Sequence, residues 1–377
     1  MILPGATIGC LGGGQLGRML GSEARRMGYG FHVYEPSAGC PAGHIAGREF
    51  NAPYEDLDAL EKFAKSVDVI TFEFENIPTD VLQELVRWRP VYPNWQALSI
   101  CQNREREKTF LRDQGIPLAP FAIIDSLETL KREWETMNSA AVLKTADFGY
   151  DGKGQVKLNL GDSAKDAWNS FDQKKAVLEQ WIEFDLECSV ICARSRKGEI
   201  RTFPVAENIH TDHILDLSIV PARLSEIQKQ EAREIAATIA EKLDVVGLLA
   251  VELFLTRSGK LIVNELAPRT HNSGHYTLDA CPTSQFEQQL RMICGLPMGD
   301  VALRSSVVMV NVLGDVWKET TPPAWEHLLK QPGVRLHLYG KDKAVPGRKM
   351  GHFCVLQDDL ETAIKTAEHL KSVLKSF

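Results

Sequence analysis

The sequence predicts an α/β protein of two or three domains, and three observations carry that prediction. Short apolar runs alternate with helical patterns through the first hundred residues, which is typical of a parallel sheet covered on both faces. Further along, apolar runs joined by short turns indicate antiparallel strands. The length of 377 residues is enough for several domains that share a substantial core.

The N-terminal part is predicted to be an open parallel sheet. Its strands are expected at 7–11, 31–34 and 67–72, separated by helices at 15–27 and 56–66. Ligands of such a sheet lie beyond the carboxyl ends of the strands. The residues that follow each strand are therefore candidates for a functional site.

A glycine-rich turn, GGGQLG at 12–17, follows the first predicted strand. Glycines let the backbone approach an anion, and the next helix supplies free N–H groups. The spacing of Gly12, Gly14 and Gly17 also fits a dinucleotide fingerprint, with Glu35 closing the second strand. An NAD-dependent oxidoreductase and a tight turn without a ligand are alternatives that this motif leaves open.

A second polar cluster, in the sequence TFEFENIP at 71–78, ends the third predicted strand. Glu73 and Glu75 emerge at the edge where ligands bind, and we assign Glu73 to a site because it leaves a buried strand. Asn76 is predicted to cap the following helix, with Pro78 in its first turn.

A lysine inside an apolar strand marks the next candidate. Lys144 lies in the predicted strand 141–145, where a lysine is costly unless its amine meets an anion or an acid. The loop 148–155, FGYDGKGQ, alternates glycines with polar residues and can close over phosphates. It lacks the Walker A order, and a simple hairpin tip is the alternative.

A hairpin carrying two carboxylates is the strongest candidate for a metal site. Strands are predicted at 248–255 and 261–263, and 257–260 has the composition of a turn. Glu252 and Glu265 can then face one point, where two carboxylates need a cation between them. Hard oxygen ligands suit Mg²⁺. A core hairpin with two solvated acids is the alternative.

Beyond this hairpin, Pro268 breaks the strand and Arg269 and His271 can handle an anion beside the metal. His271 and His275 have the HxxxH spacing of a zinc pair, but that geometry requires a helix. Residues 272–274, Asn-Ser-Gly, make a helix improbable, so we predict no zinc here and expect His275 only to cap or pack.

The C-terminal part is predicted to form a small unit of strands and one long amphipathic helix. Strands are expected at 307–313, 334–338 and 353–356, and the helix at 360–374. Arg348 and Lys349 form a basic pair in front of the last strand. A solvated turn is the alternative reading of that pair.

Composition excludes several classes of function. A net charge of −7 and a pI of about 5.9 argue against a nucleic-acid surface. We expect no membrane association, because no apolar run could span a bilayer and no signal-peptide pattern opens the chain. The eight cysteines are scattered, so we expect reduced thiols in a cytoplasmic protein.

Five motifs occur together in a characteristic order: GGGQLGRM at 12–19, FEFENIP at 72–78, FGYDGKGQ at 148–155, NELAPRTHNSGH at 264–275 and GRKMGH at 347–352. On these motifs the chain resembles the ATP-grasp ligases, and among them the N5-carboxyaminoimidazole ribonucleotide synthases, over essentially its whole length. The resemblance implies an N-terminal ribonucleotide-binding domain at 1–100. It implies a central ATP-grasp domain at 101–297, with a glycine-rich lid at about 115–182, and a C-terminal α/β domain at 298–377.

The resemblance also implies an activity. It is the ATP- and bicarbonate-dependent carboxylation of the exocyclic amine of 5-aminoimidazole ribonucleotide, through carboxyphosphate, in purine biosynthesis. Mg²⁺, or Mn²⁺, is the implied metal, and a homodimer is the implied assembly. The alternatives are a formate-dependent glycinamide ribonucleotide formyltransferase, an inactive ATP-binding regulator and, from another class, the NAD-dependent oxidoreductase.

Site residues follow from the resemblance position by position. The positions implied for ATP are Arg104, Lys144, the lid Gly149, Tyr150, Asp151, Gly152, Lys153, Gly154 and Gln155, the adenine hinge Glu179, Gln180, Trp181 and Ile182, and Glu187, His210, Asn264 and Glu265. Trp181 stands where a smaller aromatic residue is expected. Glu187 is implied to bind the ribose, and Glu252 and Glu265 are the implied metal ligands.

The remaining implied positions belong to the ribonucleotide and to the reaction. Those around the reacting centre are Tyr150, Asp151, Arg269, His271, Asn272, Arg348 and Lys349, and those for the ribonucleotide are Gly14, Gln15, Leu16, Glu73, Arg269 and Lys349. Arg269 is suited to a bidentate contact with bicarbonate. His271 or Asp151 would handle the proton, and the sequence does not choose between them.

Overall fold

The computed structural model describes residues 1–147, 154–170, 175–318 and 323–376. The predicted α/β class and the parallel N-terminal sheet are confirmed. The N-terminal elements are β1 (Thr7–Leu11), α1 (Gln15–Arg26), β2 (Gly30–Tyr34), β3 (Arg48–Phe50), α2 (Leu57–Lys65), β4 (Val69–Phe72), α3 (Thr79–Leu85) and α4 (Trp95–Cys101). The four strands are parallel, in the order β3-β2-β1-β4.

The predicted capping role of Asn76 is wrong. Helix α3 begins at Thr79, and Pro78 occupies its N-cap position. The segment before it is held by Gln102, whose side-chain amide donates to the carbonyls of Glu75 and Ile77. These contacts place Asn76 away from the helix start and on the wall of the central cavity.

A four-stranded antiparallel sheet and the helices around it follow. The elements are α5 (Arg104–Asp113), β5 (Phe121–Ile124), α6 (Leu127–Met137), β6 (Ala141–Thr145), β7 (Gln155–Leu158), α7 (Ala164–Asn169) and β8 (Ala176–Gln180). The strand order is β5-β8-β6-β7. Its core includes Leu143, Leu178 and Trp134, so this sheet has an apolar cluster of its own.

The largest sheet has nine strands and runs through the rest of the chain. Its elements are β9 (Phe184–Arg194), β10 (Ile200–Thr202), β11 (Ala206–Thr211), β12 (Ile214–Val220), α8 (Glu226–Lys242), β13 (Gly247–Thr256), β14 (Leu261–Ala267), α9 (Thr277–Ala280), α10 (Gln285–Cys294), β15 (Ser306–Leu313), α11 (Trp325–Leu329), β16 (Val334–Leu338), β17 (Lys349–Gln357) and α12 (Leu360–Ser376). The strand order is β14-β13-β9-β11-β12-β15-β17-β16, with β10 paired to β9.

Two strands of this sheet extend further than the sequence predicts. Strand β14 continues to Ala267, so Asn264 and Glu265 lie within it and not after its end. Strand β17 begins at Lys349, which places that residue in the sheet and leaves Arg348 in the preceding turn. In both places the neighbouring strand supplies hydrogen bonds that local sequence does not reveal. Over the described ranges, every helix is too short or too polar to cross a membrane.

Candidate active site

A polar cavity lies where the N-terminal sheet, the four-stranded sheet and strand β14 meet. Its walls come from the loop after β4, from helices α4 and α5, and from strands β6, β8 and β14. Among its lining residues are Glu75, Arg104, Lys144, Glu179 and Glu265. Four of these five are predicted ATP positions, and the fold brings them to one place.

Glu252 and Glu265 are directly opposite each other on β13 and β14. Burial and the charge of Glu265 raise the pKa of Glu252 to about 7. A cation between two such carboxylates favours the ionised form of both. Over the described residues, no cluster of three or more acidic, His or Cys groups could complete a metal site alone. Two carboxylates fit Mg²⁺, which usually takes its remaining ligands from phosphate and water.

Glu179 is buried between two lysines. Its carboxylate oxygens lie 3.1 Å from Lys144 Nζ and 3.1 Å from Lys108 Nζ. Burial opposes its charge, but the two cations outweigh that effect and lower the pKa of Glu179 to about 2. Lys108 also donates to the carbonyl of Asn264, 2.7 Å away. Glu179 is therefore the acid that the Lys144 amine was expected to contact.

Lys108 and the neighbouring Glu107 are cavity residues that the sequence analysis did not select. Helix α5 is strongly charged, a pattern typical of a solvated face, yet Lys108 is 1 % exposed and Glu107 is 2 % exposed. Both lie three or four positions before Leu111, which is fully buried. That helical spacing is the signal that could have placed them on the inner face.

Glu107 holds strand β14 in place. Its Oε2 accepts the backbone N–H of Leu266 at 3.0 Å. Burial raises the pKa of Glu107 to about 8; Lys108 opposes that shift and Glu265 adds to it. The folded protein therefore binds a proton here up to a higher pH than the unfolded chain, and ionisation of Glu107 costs stability as the pH rises.

We expect Glu107→Gln to stabilise the protein, and increasingly so from about pH 5 to pH 8. The amide keeps an acceptor for the Leu266 N–H and removes the buried charge. Urea unfolding without added metal should give a gain of at least about 1 kcal/mol at pH 8 and less at pH 5. Glu231→Gln, an exposed change on α8, is the control. A gain that is equal at both pH values would contradict the assigned pKa.

Glu187 and His210 form a pair on neighbouring strands β9 and β11. His210 Nδ1 lies 2.5 Å from Glu187 Oε2. Burial alone would lower the pKa of His210, but the Glu187 carboxylate outweighs it and raises that pKa. Both side chains are about one quarter exposed, at 24 % and 23 %, so a ligand can reach them. The two residues implied to contact the nucleotide are thus brought together.

The predicted adenine hinge is only partly a strand. Strand β8 ends at Gln180, whose N–H donates to Pro120, and the Trp181 N–H donates to Ala140. Both N–H groups therefore already donate hydrogen bonds within the protein. The Trp181 ring is 38 % exposed, and Lys157 Nζ lies 3.7 Å above its centre. Ile182 follows the strand and is half-buried.

The lid loop 149–155 falls mainly outside the described residues, since Gly149, Tyr150, Asp151, Gly152 and Lys153 are not among them.

The end of the lid motif is described. The Gly154 carbonyl accepts the N–H of Thr145, 2.8 Å away. Gln155 begins β7 and is paired with Lys144. These contacts place the C-terminal end of the motif beside the lysine strand.

The basic loop after β14 reaches back to the N-terminal domain. Arg269 Nε lies 3.3 Å from Glu75 Oε1, and His271 Nε2 lies 3.4 Å from Glu252 Oε1. Burial, followed by the charges of Arg269 and Lys349, lowers the pKa of His271 well below its usual value. His271 therefore lies next to the pair Glu252–Glu265, and Arg269 lies next to Glu75. The sequence assigned no role to Glu75; in the structure its carboxylate is the ion-pair partner that holds the Arg269 side chain.

Asn272 has a different environment from that expected of a reacting group. Its amide forms reciprocal hydrogen bonds with Asn311 on β15, at 3.0 and 2.8 Å. Asn272 is 8 % exposed, so these two hydrogen bonds fix the orientation of its side chain. His275 is fully buried against Gln285, in agreement with the expectation that it packs.

The glycine turn donates its N–H groups to carboxylates. Gly13 N–H is 3.0 Å from Glu35 Oε2, Gly14 N–H is 2.8 Å from Glu73 Oε1, and Gly17 N–H is 3.3 Å from Glu73 Oε2. A dinucleotide pyrophosphate needs these same donors and would be repelled by both acids. The NAD alternative is therefore wrong, because the carboxylates already occupy the anion-binding position.

The substrate positions assigned to this turn differ in access. Leu16 is 7 % exposed and packs in the N-terminal core, so only its backbone could contact a ligand. Gln15 is half-buried at the start of α1. Glu73 is 8 % exposed, and burial raises its pKa. Of this set, Gln15 presents the most accessible polar side chain.

Three cations lie near one another at the start of β17. Lys341 Nζ donates to the carbonyl of Lys349 at 2.6 Å, and Arg348 donates to the carbonyl of Lys343 at 3.2 Å. Burial, and then the charge of Arg348, lowers the pKa of Lys341 to about 8, although Glu73 opposes the shift. This concentration of positive charge suits an anionic group. Lys341 was missed because its surrounding loop has no distinctive pattern.

Comparisons with known proteins agree along the whole chain. The ribonucleotide synthetase preATP-grasp domain matches residues 5–102, the ATP-grasp domain residues 109–286, and the phosphoribosylaminoimidazole carboxylase C-terminal domain residues 307–366. The N5-carboxyaminoimidazole ribonucleotide synthase of Bacillus subtilis (strain 168) is 46 % identical over 359 residues, or 95 % of this chain and 93 % of that protein. The chain belongs to the N5-carboxyaminoimidazole ribonucleotide synthase family.

Solved structures of N5-carboxyaminoimidazole ribonucleotide synthases share the fold. One in complex with ADP is 45 % identical, with a TM-score of 0.92, covering 98 % of this chain and 97 % of that one. The Aspergillus clavatus enzyme, in complex with ADP and 5-aminoimidazole ribonucleotide, is 32 % identical, with a TM-score of 0.92 and 99 % of each chain covered. The predicted ATP-grasp fold and ligase class are therefore confirmed for this member of the synthase family.

Proposed function

We propose that this protein catalyses the ATP-dependent carboxylation of 5-aminoimidazole ribonucleotide to N5-carboxyaminoimidazole ribonucleotide, with bicarbonate as the source of carbon. The observation that carries this proposal is the set of charged side chains at one cavity. Lys108, Lys144 and Glu179 line the cavity together with Glu265 and Glu75. Glu252, which is opposite Glu265, lies 3.4 Å from His271, and Arg269 lies 3.3 Å from Glu75. Membership of the synthase family supports the choice of substrate.

ATP would lie along the cavity between the four-stranded sheet and strand β14. Lys144, with Arg104 nearby on α5, would contact the phosphates, and Glu187 with His210 would hold the ribose. The lid motif 148–155 would cover the phosphates from β7. Trp181 and Ile182 follow β8 and would border the adenine. These roles are supported by Lys144 and Arg104, which line the cavity, and by the Glu187–His210 pair on the sheet that carries β14.

Glu252 and Glu265 would hold Mg²⁺, with the Asn264 backbone carbonyl fixed beside them by Lys108. When bound, the ion neutralises charge that develops on the phosphate oxygens. The raised pKa of Glu252 supports this assignment, because a cation between the two carboxylates removes their repulsion. The same donor set would accept Mn²⁺.

The reaction begins with attack of a bicarbonate oxygen on the γ-phosphorus of ATP. That bond forms as the bond to ADP breaks, giving carboxyphosphate. Arg269 would hold the bicarbonate through its guanidinium N–H groups, in an orientation set by Glu75. Lys349 lies near enough to affect the pKa of both Glu252 and His271, and would add positive charge at the same point.

Carboxyphosphate then breaks down to CO₂ and phosphate, and the exocyclic amine of the ribonucleotide bonds to the CO₂ carbon while its displaced proton passes to the released phosphate. The ribonucleotide would lie against the glycine turn near Gln15 and Glu73, with its phosphate near Arg348 and Lys341. Exclusion of water is needed because carboxyphosphate and the carbamate product both hydrolyse. Tyr150 and Asp151 of the lid loop are proposed to act in the same step.

The test is ADP formation with ATP, Mg²⁺ and bicarbonate, with and without 5-aminoimidazole ribonucleotide. We expect the ribonucleotide to raise the rate by at least about tenfold, because it consumes the labile intermediate. Formate in place of bicarbonate, with glycinamide ribonucleotide, should give no ADP. Equal rates with and without 5-aminoimidazole ribonucleotide would contradict the proposed substrate and leave the ligase fold unaffected.

Two features of organisation are also proposed. The first is the division into domains 1–100, 101–297 and 298–377, with the lid subdomain at about 115–182. The second is a homodimer, which sedimentation of the purified protein would test.

A further inference from the structure

A continuous chain of buried hydrogen bonds ends on His271. The Ser218 hydroxyl donates to Asn208 Oδ1 at 2.9 Å, and Asn208 Nδ2 donates to Ser189 Oγ at 2.9 Å. The Ser189 hydroxyl donates to Ser273 Oγ at 2.7 Å, which lies 2.9 Å from His271 Nδ1. None of the residues leading to His271 is more than 5 % exposed, so solvent does not compete for these bonds.

The direction of these bonds fixes which nitrogen of His271 carries the proton. Because Ser273 Oγ accepts from Ser189, its own proton is left for His271 Nδ1. The backbone N–H of Ser273 points to the same nitrogen at 3.3 Å. A backbone N–H can only donate, so Nδ1 must present its lone pair, and the proton of the neutral ring is on Nε2.

Gln285 fixes the backbone of the same residue. The His271 N–H donates to Gln285 Oε1 at 2.9 Å, and Gln285 Nε2 donates to the His271 carbonyl at 2.7 Å. Gln285 is fully buried on α10. With the backbone held on one side and Nδ1 on the other, Nε2 faces Glu252 and the reacting centre.

We infer that Ser189 and Ser273 are positioning residues for the carboxylation, and that they hold His271 as an Nε2–H hydrogen-bond donor. Its ligand is an anionic oxygen, of bicarbonate or of carboxyphosphate, beside Arg269. This inference rests on the proposed function, which places His271 at the reacting centre. It gives His271 the role of stabilising a developing oxyanion, a role that needs a fixed donor in a site shielded from water.

Ser273→Ala tests the inference against Ser218→Ala. Both changes delete one buried hydroxyl, but Ser218 is separated from His271 by Asn208, Ser189 and Ser273. We expect Ser273→Ala to lower kcat by about tenfold with the KM for ATP unchanged, because the Nε2–H donor is no longer fixed. Ser218→Ala should stay within about twofold of the unaltered protein. Equal effects of the two changes would overturn the inference.

The ring tautomer gives a readout that does not depend on turnover. Imidazole ¹⁵N resonances distinguish a protonated from an unprotonated nitrogen, and His271→Gln identifies the signals of His271. We expect Nε2–H in the unaltered full-length protein and a mixture of tautomers in Ser273→Ala, or in Ser189→Ala if the former does not fold. An Nδ1–H ring in the unaltered protein would overturn the inference. Absence of ADP formation with the expected tautomer would instead contradict the proposed function.

Discussion

Glu265→Gln is expected to lower the rate of ADP formation by at least about 100-fold while leaving the free energy of unfolding unchanged or higher. The loss follows from removal of one of two carboxylates that would hold Mg²⁺, a contribution of several kcal/mol to transition-state stabilisation. Stability is retained because Glu265 raises the pKa of Glu252, so its removal relieves repulsion within the pair. ADP release at saturating ATP measures the first effect, and urea unfolding measures the second.

A thermal shift separates metal binding from other causes of lost activity. The unaltered protein should gain stability from Mg²⁺ and ATP together, since a ligand that binds only the folded state stabilises it. Glu265→Gln should gain much less thermal stability from Mg²⁺ and ATP. The exposed control Glu231→Gln should gain as much as the unaltered protein. Full ATP turnover in Glu265→Gln would refute the metal assignment.

Lys108→Met is expected to destabilise the protein by about 3–5 kcal/mol, the cost of breaking a buried ion pair. The change leaves Glu179, whose side chain is 4 % exposed, with only Lys144, and leaves the Asn264 carbonyl without its donor. Lys144→Met should cost less, because the Lys144 side chain is 16 % exposed and water can replace it in part. Denaturant unfolding of the two single variants measures this difference.

Removing all three charges of the buried cluster provides the internal control. Lys108→Met combined with Lys144→Met and Glu179→Leu should recover at least half of the stability lost in Lys108→Met, since apolar side chains can replace a buried ion cluster at little cost. Recovery of stability without recovery of ATP binding would show that the lysines and the acid serve the nucleotide. A single Lys108→Met variant as stable as the unaltered protein would contradict the burial and pairing assigned to Lys108.

The parts of the site that sequence predicted are those set by local patterns. Alternation of apolar strands and helices gave the parallel sheet, and a turn between two apolar runs gave the carboxylate hairpin. The lysine in an apolar strand required a counter-charge, and Glu179 provides it. In each case the physical constraint acts over a few residues or a single hairpin.

The parts that were missed depend on partners far apart in the chain. Lys108 contacts Asn264, 156 positions away, and Gly14 donates to Glu73, 59 positions away. The resemblance places Asn272 at the reacting centre, and its hydrogen-bond partner Asn311 lies 39 positions further on. A polar residue in such a pair has the same local pattern as a solvated or catalytic one, so only the folded arrangement distinguishes them.

The nine-stranded sheet crosses the proposed boundary between the central and C-terminal domains, because β12 pairs with β15 along residues 217–220 and 307–310. The C-terminal segment is therefore an extension of the catalytic sheet and not an appended module. A chain shortened before β15 would leave residues 217–220 of β12 as an unpaired edge, the kind of edge that recruits other chains and aggregates.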